Sequence, residues 1–229
     1  MIKVENVNVC NFENAIRGMR NPYDSWDKSD SKKCGDDGFV IGNEDIALMK
    51  KLYRAGTEHR KYARQIFVSM DITAPLYWIS EFDTYKIGVA RNSCSFMHRG
   101  LSKPFEITDF SIHDERVYEN FSLASQTNDV VKSQINNDEE LAMLCYIWET
   151  TIDVLNNLRS VCLRTKDDVV FQKIRCLLPS GYNQRFTATM DYENVFSIIN
   201  QRGEHKLDEW REFVCVLKQL PYIKKIIEK

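Results

Sequence analysis

Apolar residues recur at helical spacing along much of the chain, and the longest such run lies past its middle. Leu141, Leu144, Cys145, Trp148, Ile152, Leu155, Leu158 and Cys162 form a broad stripe over more than twenty residues, opened by Asp138-Glu139-Glu140. Acids in a first turn suit the positive end of a helix dipole, and the stripe predicts a long helix packed in a core or between subunits. Its Met and aromatic residues read as core. Shorter helices follow over Asp167 to Cys176, from Asp191 as cap through Gln201, and over His205 to Lys218, where Trp210, Phe213, Val214 and Leu217 share one side.

The first half mixes both periods. Ile2, Val4, Val7 and Val9 suggest a first strand whose alternation slips between Val4 and Val7. Asn11 is placed to cap a helix to Arg20, and Asn43 a helix to Ala55 that Gly56 ends. Between them, residues 21–42 are turn-forming and charged and read as a long surface loop, either a lid or an insertion. A strand is expected over Ile66 to Ile72 and another over Gln184 to Met190. Pro104 to Asn137 reads as a second long connection with a helix around Asp114 to Phe121.

Composition narrows the classes. The 229 residues, 43% hydrophobic and 28% charged, suit a single domain over 1–229 with a substantial core. With 31 basic and 33 acidic residues, no electrostatic footprint for nucleic acid or an anionic membrane shows. No apolar run reaches membrane-spanning length and the start lacks a signal-peptide layout, so a cytoplasmic location is expected. The seven cysteines form no C-x-x-C and read as reduced, mostly buried thiols. The four histidines lack metal-ligand spacing, and no G-x-G-x-x-G or P-loop occurs, so no metal is expected.

The stretch from Ala74 to Arg99 starts apolar and aromatic and ends in Arg91, Asn92, Ser93, Cys94, Ser95, His98 and Arg99, as a segment lining a pocket does. It resembles the flavin-dependent thymidylate synthases, whose A-P-x-x-x-x-R-Q-W-x-R-H-R-x-A-S-x-N-E-x-S-x-R-Y falls on it without a gap. Ala74-Pro75 match the Ala-Pro, Thr84-Tyr85-Lys86 the R-H-R, Ile87-Gly88 the apolar-Ala pair, and Cys94 the serine. Only the second arginine of the R-H-R keeps its charge, as Lys86. A second block agrees in length: Arg175 before Leu177-Leu178-Pro179, then Arg185-Phe186 and Thr189, then Asp191 to Arg202 against the family's N-A-R-S-L-x-N-F-L-x-L-R. Glu58-His59-Arg60-Lys61 lies where the family has a Gly-His-Glu-Thr/Ser turn. The resemblance covers roughly residues 43 to 215, with gaps in the middle.

It implies an α+β fold, a central antiparallel sheet with helices, in a homotetramer. The implied activity is methylation of dUMP with methylenetetrahydrofolate, FAD and NADPH. Arg175, Arg202 and Lys86 would bind the nucleotide, since guanidinium offers a planar fork to phosphate or to a pyrimidine edge. The residues themselves allow another role for the two arginines, pairing with carbonyls at a helix C-terminus. Cys94 and Ser93 would sit near the reacting base, Cys94 as nucleophile beside Lys86 and Arg91 or as an inert thiol. His59, Thr84, Tyr85, Lys86, Asn92, Asp191, Glu193 and Ser197 fall on the flavin side. There two acids stand where the family has Asn and Arg. A unit-charge repulsion near 4 Å is worth about 4 kcal/mol at an effective dielectric of 20, against FAD held in the family's manner. The alternative is a pyrimidine-nucleotide-binding relative that has lost FAD or acts on another nucleotide.

Overall fold

The computed structural model describes residues 2–35, 38–96, 100–124 and 138–228. Its strands are β1 (Lys3–Cys10), β2 (Lys32–Cys34), β3 (Gly38–Val40), β4 (Phe67–Pro75), β5 (Val89–Ser93) and β6 (Asn183–Asp191). Its helices are α1 (Phe12–Arg20), α2 (Asn43–Ala55), α3 (Leu76–Phe82), α4 (Glu115–Ala124), α5 (Glu139–Thr165), α6 (Asp168–Leu177), α7 (Tyr192–Arg202), α8 (Asp208–Leu217) and α9 (Ile223–Ile227). The fold class is α+β, as the resemblance implied. The chain divides into two compact units, one of residues 1–73, 80–93 and 185–229, the other of 74–79 and 94–184.

A four-stranded sheet ordered β1-β4-β6-β5 belongs to the first unit. β1 pairs antiparallel with β4 and β5 antiparallel with β6. The Tyr192 N–H just after β6 donates to the Ile66 carbonyl just before β4, so those two run antiparallel as well. Alternate residues separate the faces, as strand geometry requires. Val68, Met70 and Ile72 of β4 and Phe186, Ala188 and Met190 of β6 are buried, while Ser69, Asp71, Thr187 and Thr189 take the other, more open side. The slip read in the first strand is real: the β1–β4 register shifts between Glu5 and Asn8, and Asn6 has a φ of 52°. The core of this unit includes Phe12, Ile16, Met49, Val195, Phe196, Phe213 and Leu217.

Residues 21–42 are not a plain surface loop. They hold short 3-10 turns at Asn21–Tyr23 and Trp26–Lys28 and the β2–β3 hairpin. Asp45, fully buried, explains why. It accepts Arg20 Nε at 2.6 Å, Ser29 Oγ at 2.6 Å and Ser31 Oγ at 2.5 Å, and a buried carboxylate needs such partners. The expected Asn43 cap of α2 is replaced: Asp30, in the same segment, accepts the Glu44 and Asp45 N–H groups at 3.1 and 3.2 Å. Asn11 likewise makes no side-chain cap. It sits left-handed at φ 73°, and its amide donates to the Gln65 carbonyl at 2.7 Å.

The second unit packs α4, α5 and α6 around Phe105, Ile107, Phe110, Val117, Cys145, Ile152, Leu155 and Ile174. Asp138 caps α5 by accepting the Leu141 N–H, and Asp167 caps α6 through Val169. The connection expected over 104–137 therefore contributes core residues as far as α4, and its part 125–137 lies outside the described residues, as does His98. Two of the seven cysteines, Cys145 and Cys162, are buried and five are exposed, so the mostly buried reading is corrected. Exposed positions on helices and strand ends put those thiols outward. No described helix is long and apolar enough to cross a membrane.

Candidate functional site

The Thr84-Tyr85-Lys86 turn is built by the end of α3. Phe82 is buried with its ring 5.7 Å from Phe186 and 6.2 Å from Phe213, which anchors the helix terminus in the first unit. The Thr84 and Tyr85 N–H groups then fold back to the Glu81 and Phe82 carbonyls, and Thr84 Oγ1 donates to the Glu81 carbonyl at 2.7 Å. Tyr85 projects from this turn to the last residue of α7. Arg202 Nε donates to the Tyr85 hydroxyl at 3.1 Å, and that hydroxyl donates to Gln201 Oε1 at 3.1 Å.

Arg202 is held from three further sides. Its Nη1 donates to Glu81 Oε2 at 3.0 Å, its guanidinium carbon lies 4.6 Å from the Trp210 ring centre, and Trp210 Nε1 donates to the same Glu81 oxygen at 2.9 Å. His205 Nδ1 accepts the Leu207 N–H at 3.2 Å, and its Nε2 lies 2.9 Å from Arg202 Nη1 and 3.7 Å from Glu81 Oε2. The result is a cation fixed in orientation, with Nη2 not engaged by any described residue. The expectation of carbonyl pairing at a helix end does not describe Arg202: its partners are side chains.

Gly88 brings the segment after the turn against the start of α7. Its φ is 77°, and a Cβ there would lie 2.7 Å from Asn194 Nδ2 and 2.8 Å from Asp191 Oδ2. Asn194 Nδ2 donates to the Ile87 carbonyl at 3.0 Å, and Asp191 Oδ1 accepts the Asn194 N–H at 2.8 Å as the cap of α7. Burial pushes the Asp191 carboxyl above its usual range, opposed by the Asn194 N–H and by Asn194 Nδ2, which also donates to Asp191 Oδ1 at 2.8 Å. Residues 89–93, read only as a polar stretch, form β5, which places Asn92 and Ser93 exposed opposite Thr187 and Phe186. Lys86 is exposed and makes no side-chain hydrogen bond or ion pair with another described residue.

Glu193 meets Arg60. Two hydrogen bonds of 2.8 Å, Nε to Oε2 and Nη2 to Oε1, join side chains that are 11% and 17% exposed. The Arg60 guanidinium also lies 5.0 Å from the Tyr53 ring centre and 5.7 Å from that of Phe196. Ser197 accepts from Gln201 Nε2 at 3.0 Å. His59 lines a cavity of about 340 Å³ with Tyr23, Leu52, Lys61 and Tyr62, and none of the other predicted residues lines it.

In the second unit, Cys94 is exposed and its carbonyl accepts Gln184 Nε2 at 2.9 Å. Arg175, near the end of α6, is exposed with its guanidinium 5.9 Å from the Phe96 ring centre.

Of the predicted residues, Thr84, Tyr85 and Arg202 thus form one hydrogen-bonded group. Gly88 ties the chain just beyond it to Asp191. Arg60, Glu81 and Trp210 were not predicted. Arg60 could have been read from sign alone, because the resemblance puts it on an acid and Glu193 on an arginine. Glu81 and Trp210 carry no such signal; only packing brings them to Arg202.

The flavin-side positions do not fit FAD held as the resemblance implies. A dinucleotide needs donors facing its phosphates, and positions 191 and 193 present acids whose oxygens are taken up by a helix cap and an ion pair.

No protein-family model matches the chain, and no curated protein does. Its structure is similar to two crystal structures from Helicobacter pylori. One is thymidylate synthase X with FAD and dUMP, at 15% identity and a TM-score of 0.62, covering 100% of this chain and 98% of that one. The other is the flavin-dependent thymidylate synthase ThyX complexed with FAD and dUMP, at 17% identity and a TM-score of 0.62, covering 98% and 99%. Over its whole length the chain is therefore similar in fold to thymidylate synthase X.

Proposed function

We propose that this protein binds dUMP or a related pyrimidine nucleotide and acts on it as a thymidylate synthase-like enzyme. The observation that carries the reading is Arg202, held by Tyr85 of the turn that falls on the family's R-H-R and left with Nη2 for a ligand. A charge-assisted hydrogen bond from such a donor is worth about 1.5–3 kcal/mol. Fixing it beforehand on Glu81 and Trp210 lowers the ordering cost of binding. Lys86 adds a positive charge on the same turn. Arg175 and the pair Ser93 and Cys94 take nucleotide-binding and base-facing roles from the resemblance alone. So do methylenetetrahydrofolate and NADPH as one-carbon donor and reductant, and the homotetramer. A cytoplasmic location is part of the same proposal.

A second reading, nucleotide binding without flavin, is favoured by the Arg60–Glu193 pair, which engages a residue that the resemblance assigns to the flavin side. The purified protein's absorbance, a dUMP-dependent rise in melting temperature and tritium release from labelled dUMP separate the two. Flavin absorbance with turnover supports the enzyme. A colourless protein stabilised by dUMP, with the shift lost in Arg202→Ala, supports the binding protein. No shift with dUMP or with any other pyrimidine nucleotide removes both.

A further inference from the structure

Arg20, the last residue of α1, is a buried cation with one donor to spare. Its side chain is 5% exposed. Nε donates to Asp45 Oδ1 at 2.6 Å and Nη1 to the Ser25 carbonyl at 3.2 Å, while Nη2 makes no hydrogen bond with a described residue. The same arginine lines a cavity of about 460 Å³ within the first unit, together with Lys28 and Lys51. Both lysines are exposed, and neither makes an ion pair among the described residues. Three cations thus reach one cavity from the end of α1, from the Trp26–Lys28 turn and from α2. Asp45 balances Arg20, so the two lysines against Glu44, an acid on the same wall, leave a surplus of positive charge. Glu44 lies two helical turns before Lys51 on α2, about 10 Å along the axis, and does not neutralise it.

We propose that this cavity binds a phosphate group, as the free ion or as a small ester. Arg20 supplies a donor whose direction is already fixed by Asp45 and Ser25, so little ordering cost falls on binding. The lysines add compact charges on flexible stems, suited to the oxygens that the guanidinium leaves open. The volume falls within the range of small-molecule sites, about 300–1,000 Å³, and leaves space beyond one phosphate. Tyr23 and Leu48 offer that space carbon surface, and Glu44 an acceptor for a hydroxyl, so an ester such as a sugar phosphate fits the lining as well as the free ion does. The cavity shares no residue with the Arg202 group, and the inference stands apart from the nucleotide reading.

Isothermal titration of the full chain with inorganic phosphate and with ribose 5-phosphate, at constant ionic strength, tests it. Saturable binding of either is expected, and the tighter of the two tells the free ion from the ester. Lys28→Gln and Lys51→Gln should each weaken that binding about tenfold, the size expected for a lost charge-assisted hydrogen bond. Both lysines are exposed, so these variants keep the Arg20–Asp45 pair, and unchanged far-ultraviolet circular dichroism verifies the fold. Arg202→Ala should leave the binding as it is. Absence of binding by both ligands overturns the inference, as does binding that neither lysine variant alters. Binding that Arg202→Ala abolishes belongs to the nucleotide site and overturns it too. The dUMP melting shift, read in parallel, reports separately on that site.

Discussion

Arg60 and Glu193, 133 residues apart in sequence, form a two-point ion pair with both hydrogen bonds at 2.8 Å. In the resemblance these positions hold an acid and an arginine, in that order. Both signs are inverted here, and the inversion is internally consistent: each charge finds the other. Removing one partner leaves a charge with little access to water, whereas exchanging both preserves the attraction. Glu193→Gln is expected to lower stability by about 2–3 kcal/mol, and Arg60→Glu/Glu193→Arg to recover most of it in urea unfolding. The exchanged pair returns an arginine to position 193, so flavin titration of that variant should show tighter FAD binding than the wild type. Equal affinity would mean that this pair is not what closes the flavin side.

Gly88 has no room for a side chain and a φ of 77°. A left-handed backbone costs a residue with a Cβ about 1–2 kcal/mol, and the approach to Asp191 and Asn194 adds to it. Gly88→Ala should therefore reduce stability by more than 1–2 kcal/mol in the same measurement. It should also weaken the dUMP melting shift, because the turn carrying Tyr85 lies just before it.

Asp71 on the open face of the sheet accepts from Thr187, Asn6 and Arg185, and these donors, Thr187 foremost, hold its carboxyl down to about 2. The folded protein thus binds this proton less readily than the unfolded chain, whose aspartate titrates near 3.9. Its contribution is complete above about pH 4 and disappears as the pH falls through about 2. Asp71→Asn should be less stable at neutral pH and should lose less stability across that acid interval. Unfolding free energies measured from pH 5 to pH 2 check this, and parallel curves for the two proteins would refute it.

Asp45 is fully buried and joins Arg20 to Ser29 and Ser31. Asp45→Asn leaves the buried Arg20 charge without its counter-ion. The expected loss is about 3–5 kcal/mol, with early exchange of amides in residues 25–34. A loss below 1 kcal/mol would show that water reaches Arg20.

Local chemistry was legible in the sequence. The acids before α5, α6 and α7 cap those helices because a short acidic side chain reaches the first free N–H groups whatever the rest of the chain does. The slipped alternation near Val4 appeared as a shifted register for the same reason: it is a property of consecutive residues. The segment 21–42 failed because its polar residues satisfy a buried acid, a partner that no local pattern names. Caps Asn11 and Asn43 failed likewise, one drawn to Gln65 and the other displaced by Asp30.

The candidate site divides in the same way. The resemblance placed Thr84 to Lys86 and Arg202 in one frame, because each lies in a block whose internal spacing agrees with the family's, although gaps separate the blocks. Only the tertiary structure decided that Tyr85 touches Arg202, that Glu81 and Trp210 fix it, and that Glu193 is paired rather than exposed. Hydrogen bonds and ion pairs form between groups brought within about 3 Å by packing, and residues more than a hundred positions apart acquire that proximity only when the chain folds.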